Sequence, residues 1–200
     1  MSNRYRGTTL EGNAVEVEVD EERIVAVEEI AADGALPLIA PPLVDLQHNG
    51  AKHLAFNRVH EAPETLQTVA RHALRHGVGR LLATITTQAY EDSLESLKAI
   101  DEQLQADPFL ARCYPGIFFE GNYMSAEYGW RGVHPEQFMR DPSWVQWEEL
   151  YKASGQRIVK FNIDPSRSGA MQTIRAAAAA GILVSATNKP VDPLSRRCVA

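Results

Sequence analysis

The chain has 200 residues, 44 % of them hydrophobic and 23 % charged, and a net charge of −6 with an isoelectric point near 5.5. That is enough chain for one large domain, or a domain plus a small one, around a sizeable core. The acidic balance argues against a nucleic-acid or anionic-membrane partner, no apolar run approaches the ~18 residues of a spanning helix, and the opening "MSNRYRGTTLEG" lacks the apolar core of a secretory leader.

Along the chain, residues 14–20 ("AVEVEVD") alternate apolar and acidic side chains, the period of a half-buried strand. Residues 23–30 follow a short acidic turn, so the two segments are predicted to pair as a hairpin. Residues 35–50 are nearly all apolar up to Asp45 and then turn polar, which predicts a strand buried on both faces, as in a parallel sheet. From there strands and helices alternate. Helices are predicted over 62–77 with Gly77 closing the end, 90–105, 141–154 with Asp141 as N-cap, and 169–181 stopped by Gly181. Strands are predicted at 42–46, 80–86, 113–120, 157–163 and 182–186. This order argues an α/β fold with a parallel sheet and crossover helices. Cys113 and Cys198 are far apart and outside any CxxC spacing, which suits a reducing cytoplasm better than a disulfide scaffold.

Three apolar strands end in polar groups: Asp45, Gln47, His48 and Asn49; Thr84, Thr86 and Thr87; and Glu120. In parallel α/β folds such strand ends carry the chemistry. A carboxylate there can hold a divalent metal, act as general base or bind a substrate hydroxyl; the bland alternative is that Glu120 faces solvent. His72 and His76 lie at i, i+4, a spacing that can bind zinc, but the adjoining Arg71 and Arg75 favour a solvated helical face. His48 and His53 sit in a glycine-containing loop, His134 precedes a proline, and Trp144 and Trp147 read as helix packing.

Three stretches together resemble one family. Residues 40–50 ("APPLVDLQHNG") resemble the entry into the first barrel strand of the amidohydrolases. Residues 118–142 ("FFEGNYMSAEYGWRGVHPEQFMRDP") are similar to the metal-carboxylate loop of N-acetylglucosamine-6-phosphate deacetylases, and residues 158–188 resemble the strand, helix and strand that follow it. The resemblance implies a partial (β/α)8 TIM-type barrel, about five of eight strands, at 41–188, preceded by a small β-sandwich-like domain segment at 1–40 and followed by a divergent tail at 189–200. It implies Glu120 as ligand of a divalent metal, zinc being the usual one, and Val133 and His134 as contacts to an amino-sugar phosphate. Gln47 and Asn49 match first-strand positions where some members carry a His-x-His metal pair; the Gln-x-Asn form goes with a one-metal site, and His48 between them is not assigned. The implied reaction is metal-assisted hydrolysis of an N-acetyl amide.

The departures from the family pattern are specific. Asn122 stands where a proline is expected, "NIDPSR" lacks the usual glutamate, and after the strand at 182–186 the text "ATNKPVDPLSRRCVA" replaces the expected Gly-His. A second ligand histidine and the catalytic aspartate have no counterpart, and Asp192 is no replacement. From Pro41 to Ala200 there are 160 residues, against about 250 for a closed barrel. The expectation is a truncated or frame-shifted deacetylase with little or no activity and exposed sheet edges, a homo-oligomer if folded. The alternatives are a non-catalytic half-barrel module for binding or assembly, and another metal-dependent amidohydrolase of the dihydroorotase or adenine-deaminase kind, which usually shows His-x-His where "QHN" stands.

Overall fold

The computed structural model describes residues 2–32 and 34–186. The tail at 189–200, with Asp192 and Cys198, lies outside the described residues. The chain forms two compact units, Met1–Pro42 and one beginning at Leu43.

The first unit is a three-stranded antiparallel sheet in the order β1 (Asn3–Thr8), β2 (Ala14–Asp20), β3 (Arg23–Glu29). The alternation in β2 works as read: Val15 and Val17 are buried, while Glu16 and Glu18 turn to the other face. There Arg4 and Arg6 of β1 reach across, at 2.9 Å (Arg4–Glu16), 3.2 Å (Arg4–Glu18) and 2.8 Å (Arg6–Glu16). This charge ladder gives β1 its polar face and hides it from an apolar-run reading.

The second unit is built on a five-stranded parallel sheet in the spatial order β10-β9-β8-β7-β4. These strands are β4 (Leu43–His48), β7 (Val78–Ile85), β8 (Gly116–Phe119), β9 (Ile158–Ile163) and β10 (Leu183–Ala186). Between β4 and β7 lies a two-residue-turn hairpin, β5 (Gly50–Ala51) with β6 (Leu54–Ala55). Gly50 is required at the start of it: its φ is +130°, and a Cβ would lie 2.0 Å from the Leu54 carbonyl oxygen. The helices are α1 (Thr65–Arg75), α2 (Tyr90–Ala106), α3 (Pro108–Cys113), α4 (Trp144–Ala153) and α5 (Ala170–Ala179). Successive strands in the order of the chain lie side by side, each after a helical crossover, which is five strands' worth of a (β/α)8 barrel.

The core lies between sheet and helices. Leu66, Val69 and Ala70 of α1, Leu97 and Ile100 of α2, and Trp147 of α4 close over Ile85, Ile117, Phe119 and Phe161. Trp147 lies 4.4 Å, centroid to centroid, from Phe161 and edge-on to Phe119. Ile117 and Phe119 belong to this helix-side core, so by strand alternation Phe118 and Glu120 face the other side of the sheet. Lys160 shares that side, its ammonium 3.9 Å from the Phe118 ring centroid.

Four local expectations need correction. The apolar run at 35–50 is not a strand buried on both faces: only Leu43–His48 is strand, it forms the sheet edge, and Leu43, Val44 and Leu46 are 64, 57 and 58 % exposed. Asp141 does not cap α4. Ser143 holds the N-cap position, and Asp141 instead pairs with Arg167 at 3.0 Å. Helix α3 is unforeseen, although its start is well marked: Asp107 accepts a hydrogen bond from the Phe109 N–H, with Pro108 in the first turn. It absorbs Cys113, so the strand begins at Gly116 rather than 113.

Candidate functional site

At the ends of β4, β7 and β8 a cleft of about 290 Å³ opens, lined by Gln47, Asn49, Thr86, Thr87, Glu120, Val133, His134 and Pro135. The residues singled out in sequence, Glu120, Gln47, Asn49, Val133 and His134, all line this cleft. Gln47 and Asn49 lie 71 to 87 positions before the other three, and they meet because parallel strands present their C-terminal ends to one rim.

Glu120 follows β8 directly, and its N–H still donates to the Ile85 carbonyl at 2.9 Å, so the backbone beneath the carboxylate is held by the ladder. The Gln47 amide Nε2 donates to Glu120 Oε1 at 2.8 Å, joining the first strand to the third. Glu120 is half-buried, and this desolvation pushes its carboxyl above the usual carboxylate range; the Gln47 hydrogen bond and the Lys160 charge oppose the shift. On the opposite wall His134 Nδ1 lies 2.9 Å from Thr87 Oγ1. Burial holds this imidazole below its ordinary value, favouring the neutral ring. Val133 is 98 % exposed on the lip.

Two asparagines fix the walls, Asn57, which a reading of motifs passes over, and Asn122, which that reading marks only as a departure from the expected proline. Asn57 Oδ1 accepts from the Thr86 N–H at 3.0 Å and from Thr86 Oγ1 at 3.1 Å, and its Nδ2 donates to the Thr86 carbonyl at 3.1 Å and to Gln88 Oε1 at 2.9 Å. One side chain thus replaces a strand partner for the turn after β7. Asn122 is buried with φ +36°, and its Nδ2 donates to the Gln88 carbonyl at 2.8 Å and the Phe138 carbonyl at 2.7 Å. Its own carbonyl accepts from the Arg140 N–H at 2.8 Å. The loop bearing Val133 and His134 is therefore fastened at its base. The only signal in sequence is an asparagine beside a glycine, since asparagine tolerates the left-handed region.

The donor set for a metal is partial. Among the described residues no three histidine, cysteine, aspartate or glutamate side chains come together. The cleft offers one carboxylate, Glu120, with the neutral amides of Gln47 and Asn49 beside it. Zinc centres draw on several His, Cys or carboxylate ligands, so this corner supplies one such ligand and does not complete a centre. The i, i+4 pair His72 and His76 lies elsewhere, on α1, with ring centroids 4.5 Å apart.

No protein-family model matches the chain. A curated relative, N-acetylgalactosamine-6-phosphate deacetylase of Escherichia coli O157:H7, is 28 % identical over 139 residues, which is 69 % of this chain and 35 % of the relative. N-acetyl-D-glucosamine-6-phosphate deacetylase from Mycobacterium smegmatis superposes with a TM-score of 0.74 at 25 % identity, over 93 % of this chain and 49 % of that one. In sequence and in fold, this chain is similar to the amino-sugar-phosphate deacetylases. The Thermotoga maritima N-acetylglucosamine-6-phosphate deacetylase, at 21 % identity and a TM-score of 0.75 over 93 % of this chain and 48 % of its own, shares the fold. So does the Pasteurella multocida enzyme, at 23 % identity and 0.71, over 92 % of this chain and 50 % of its own. The chain spans about a third of the curated relative and about half of the solved deacetylases. The sugar epimer differs between the curated relative and the solved structures, so the deacetylase likeness does not single out N-acetylglucosamine over N-acetylgalactosamine.

Proposed function

We propose that this chain carries part of the active site of a cytoplasmic deacetylase that hydrolyses the N-acetyl amide of an amino-sugar 6-phosphate. What carries the reading is the cleft itself: the residues that the deacetylase likeness assigns separately, Glu120, Gln47, Asn49, Val133 and His134, line one cavity at the strand ends. Glu120, steadied by Gln47, is the corner that would hold a divalent metal, zinc in the resemblance. Val133 and His134 on the opposite lip would meet the sugar phosphate. A neutral His134 donates a hydrogen bond to a phosphate oxygen rather than a full charge, with Thr87 setting its ring.

With one acidic ligand in place and no general-base aspartate assigned, the chain by itself is expected to release little or no acetate. The test is to titrate the purified chain with N-acetylglucosamine 6-phosphate and N-acetylgalactosamine 6-phosphate, following amide resonances around Thr87, Glu120 and His134, and to assay acetate with zinc present. Saturable shifts confined to the cleft, lost in His134→Ala, support the substrate reading; no shift at millimolar sugar phosphate sinks it. Acetate release abolished by Glu120→Gln would overturn the expected inactivity.

A second reading is favoured by the edges of the sheet, beyond which no further strand lies among the described residues. Leu43, Val44 and Leu46 on β4 and Leu183 on β10 expose apolar surface at both ends of the strand order. A non-catalytic half barrel would use them in self-association, as the homo-oligomer expectation supposes. Sedimentation decides: a well-folded monomer at tens of micromolar removes this reading.

A further inference from the structure

The positive charge of α1 does not face solvent alone. The hairpin of β5 and β6 folds its tip back over the helix, and Lys52 at that tip closes a cleft of about 230 Å³ with Thr68, Arg71, His72 and Arg75. Among the described residues no acidic side chain lines this cleft, in a protein whose net charge is −6. Three fixed cations, an imidazole and a hydroxyl converge where isolated surface charges would spread apart. The guanidinium of Arg71 is held in place 5.4 Å from the Phe109 ring centroid, and turning the Gln67 side-chain amide so that its oxygen faces Arg71 lets that oxygen accept from Nε and Nη2 at 2.9 and 2.7 Å. The tip itself is bent hard: Lys52 and His53 have φ of +57° and +64°, a left-handed pair that non-glycine residues rarely adopt.

The surroundings of His72 report the same excess of positive charge. Its pKa is lowered first by desolvation and then by His76, Lys52, His48 and Arg75, every one of them a cationic or imidazole neighbour. A neutral imidazole among fixed cations is a poor place for a metal ion and a good one for an anion. The cleft is also separate from the Glu120 site. His48 alternates with Gln47 and Asn49 along the chain, and its ring packs edge-on to the buried Phe56, 6.0 Å away, on the helix side of the sheet.

We propose that Lys52, Thr68, Arg71, His72 and Arg75 form an anion site for a phosphate group, of inorganic phosphate or of a small phosphorylated metabolite, on the outer face of the half barrel. Its volume holds a tetrahedral oxyanion with a few waters at roughly 30 Å³ each, and guanidinium forks suit phosphate oxygens. The site does not depend on the deacetylase reading, because it shares no residue with the Glu120 cleft.

The test is ¹⁵N-resolved titration of the full chain with inorganic phosphate at fixed ionic strength, then with glucose 6-phosphate, and with sodium chloride as control. The expected result is saturable shifts at Lys52, Thr68, Arg71, His72 and Arg75, weakened tenfold or more in Lys52→Glu and in Arg75→Glu. Lys98→Glu on α2 and Glu120→Gln leave it unchanged. If charge reversal perturbs folding, as judged by circular dichroism, Lys52→Gln with Arg75→Gln tests the same contacts. Stronger shifts with glucose 6-phosphate than with phosphate assign a phosphorylated metabolite; equal shifts assign the inorganic ion. Shifts spread over all cationic surfaces, equal shifts with chloride, or unchanged affinity in the variants overturn the site.

Discussion

Strands β4 and β8 lie in one parallel sheet and each brings a polar residue to the same cleft, Gln47 near the end of β4 and Glu120 just past β8, yet they are buried to opposite degrees. Every residue of Gly116–Phe119 is buried, with β7 on one side, β9 on the other and Trp147 over Phe119. Leu43–His48 has β7 on one side alone, and its leucines and valine stay exposed. Apolar composition states that a strand belongs to a parallel sheet; its place in the sheet is set by neighbours that come from elsewhere in the chain. The energetic weight of the fold therefore sits in the middle of the sheet, while the cleft borrows from both.

The largest expected effect breaks the centre. Trp147→Ala or Phe119→Ala removes a fully buried aromatic from a packed cluster and should cost about 3–5 kcal/mol. Leu46→Ala, on the exposed edge, should stay within about 0.5 kcal/mol. Urea unfolding of the three variants checks the contrast. A large loss in Leu46→Ala would mean that the edge is covered in solution, and the comparison would fail there.

An intermediate effect lies at the base of the cleft. Asn122→Ala strips two carbonyls of their donor, for about 1–3 kcal/mol. Asn122→Pro brings in the residue of the family motif and should cost more, because proline fixes φ near −65° where this backbone holds +36°. If the proline variant is as stable as the parent, the loop at 121–135 has a different path from the one described.

How much of this was legible follows the same division. Strand and helix order, the use of Gly77 and Gly181 past helix ends at φ +80° and +77°, and the position of Glu120 at a strand end all follow from local pattern. The half-barrel and its deacetylase likeness came from ordered motifs rather than from periodicity. What stayed hidden depends on distant partners. Asp141 has the look of a cap, but Arg167 takes it. Asn57 has no local sign of its hold on Thr86, and Lys52 gives none of its place over α1. Strand β1 was masked by arginines whose carboxylates lie on the next strand.

The smallest effects distinguish the two walls of the cleft by pH. Desolvation raises Glu120 and lowers His134, so both walls favour their neutral forms, and the two groups tilt stability in opposite directions. For Glu120 the folded carboxyl holds its proton to higher pH than the unfolded one. Its contribution is complete below the ordinary carboxylate range and is lost as pH rises through the folded value, so Glu120→Gln should gain on the parent as pH rises above that range. For His134 the unfolded ring binds the proton more readily. Its contribution is complete above about pH 6.5 and is lost as pH falls through the folded value, so His134→Gln should gain on the parent in the acid direction. Melting temperatures of the parent and both variants between pH 4 and 8 give the two slopes. Opposite signs mean that desolvation governs both walls. If Glu120→Gln loses ground as pH rises, Gln47 and Lys160 outweigh burial, and the carboxylate is held charged in the cleft.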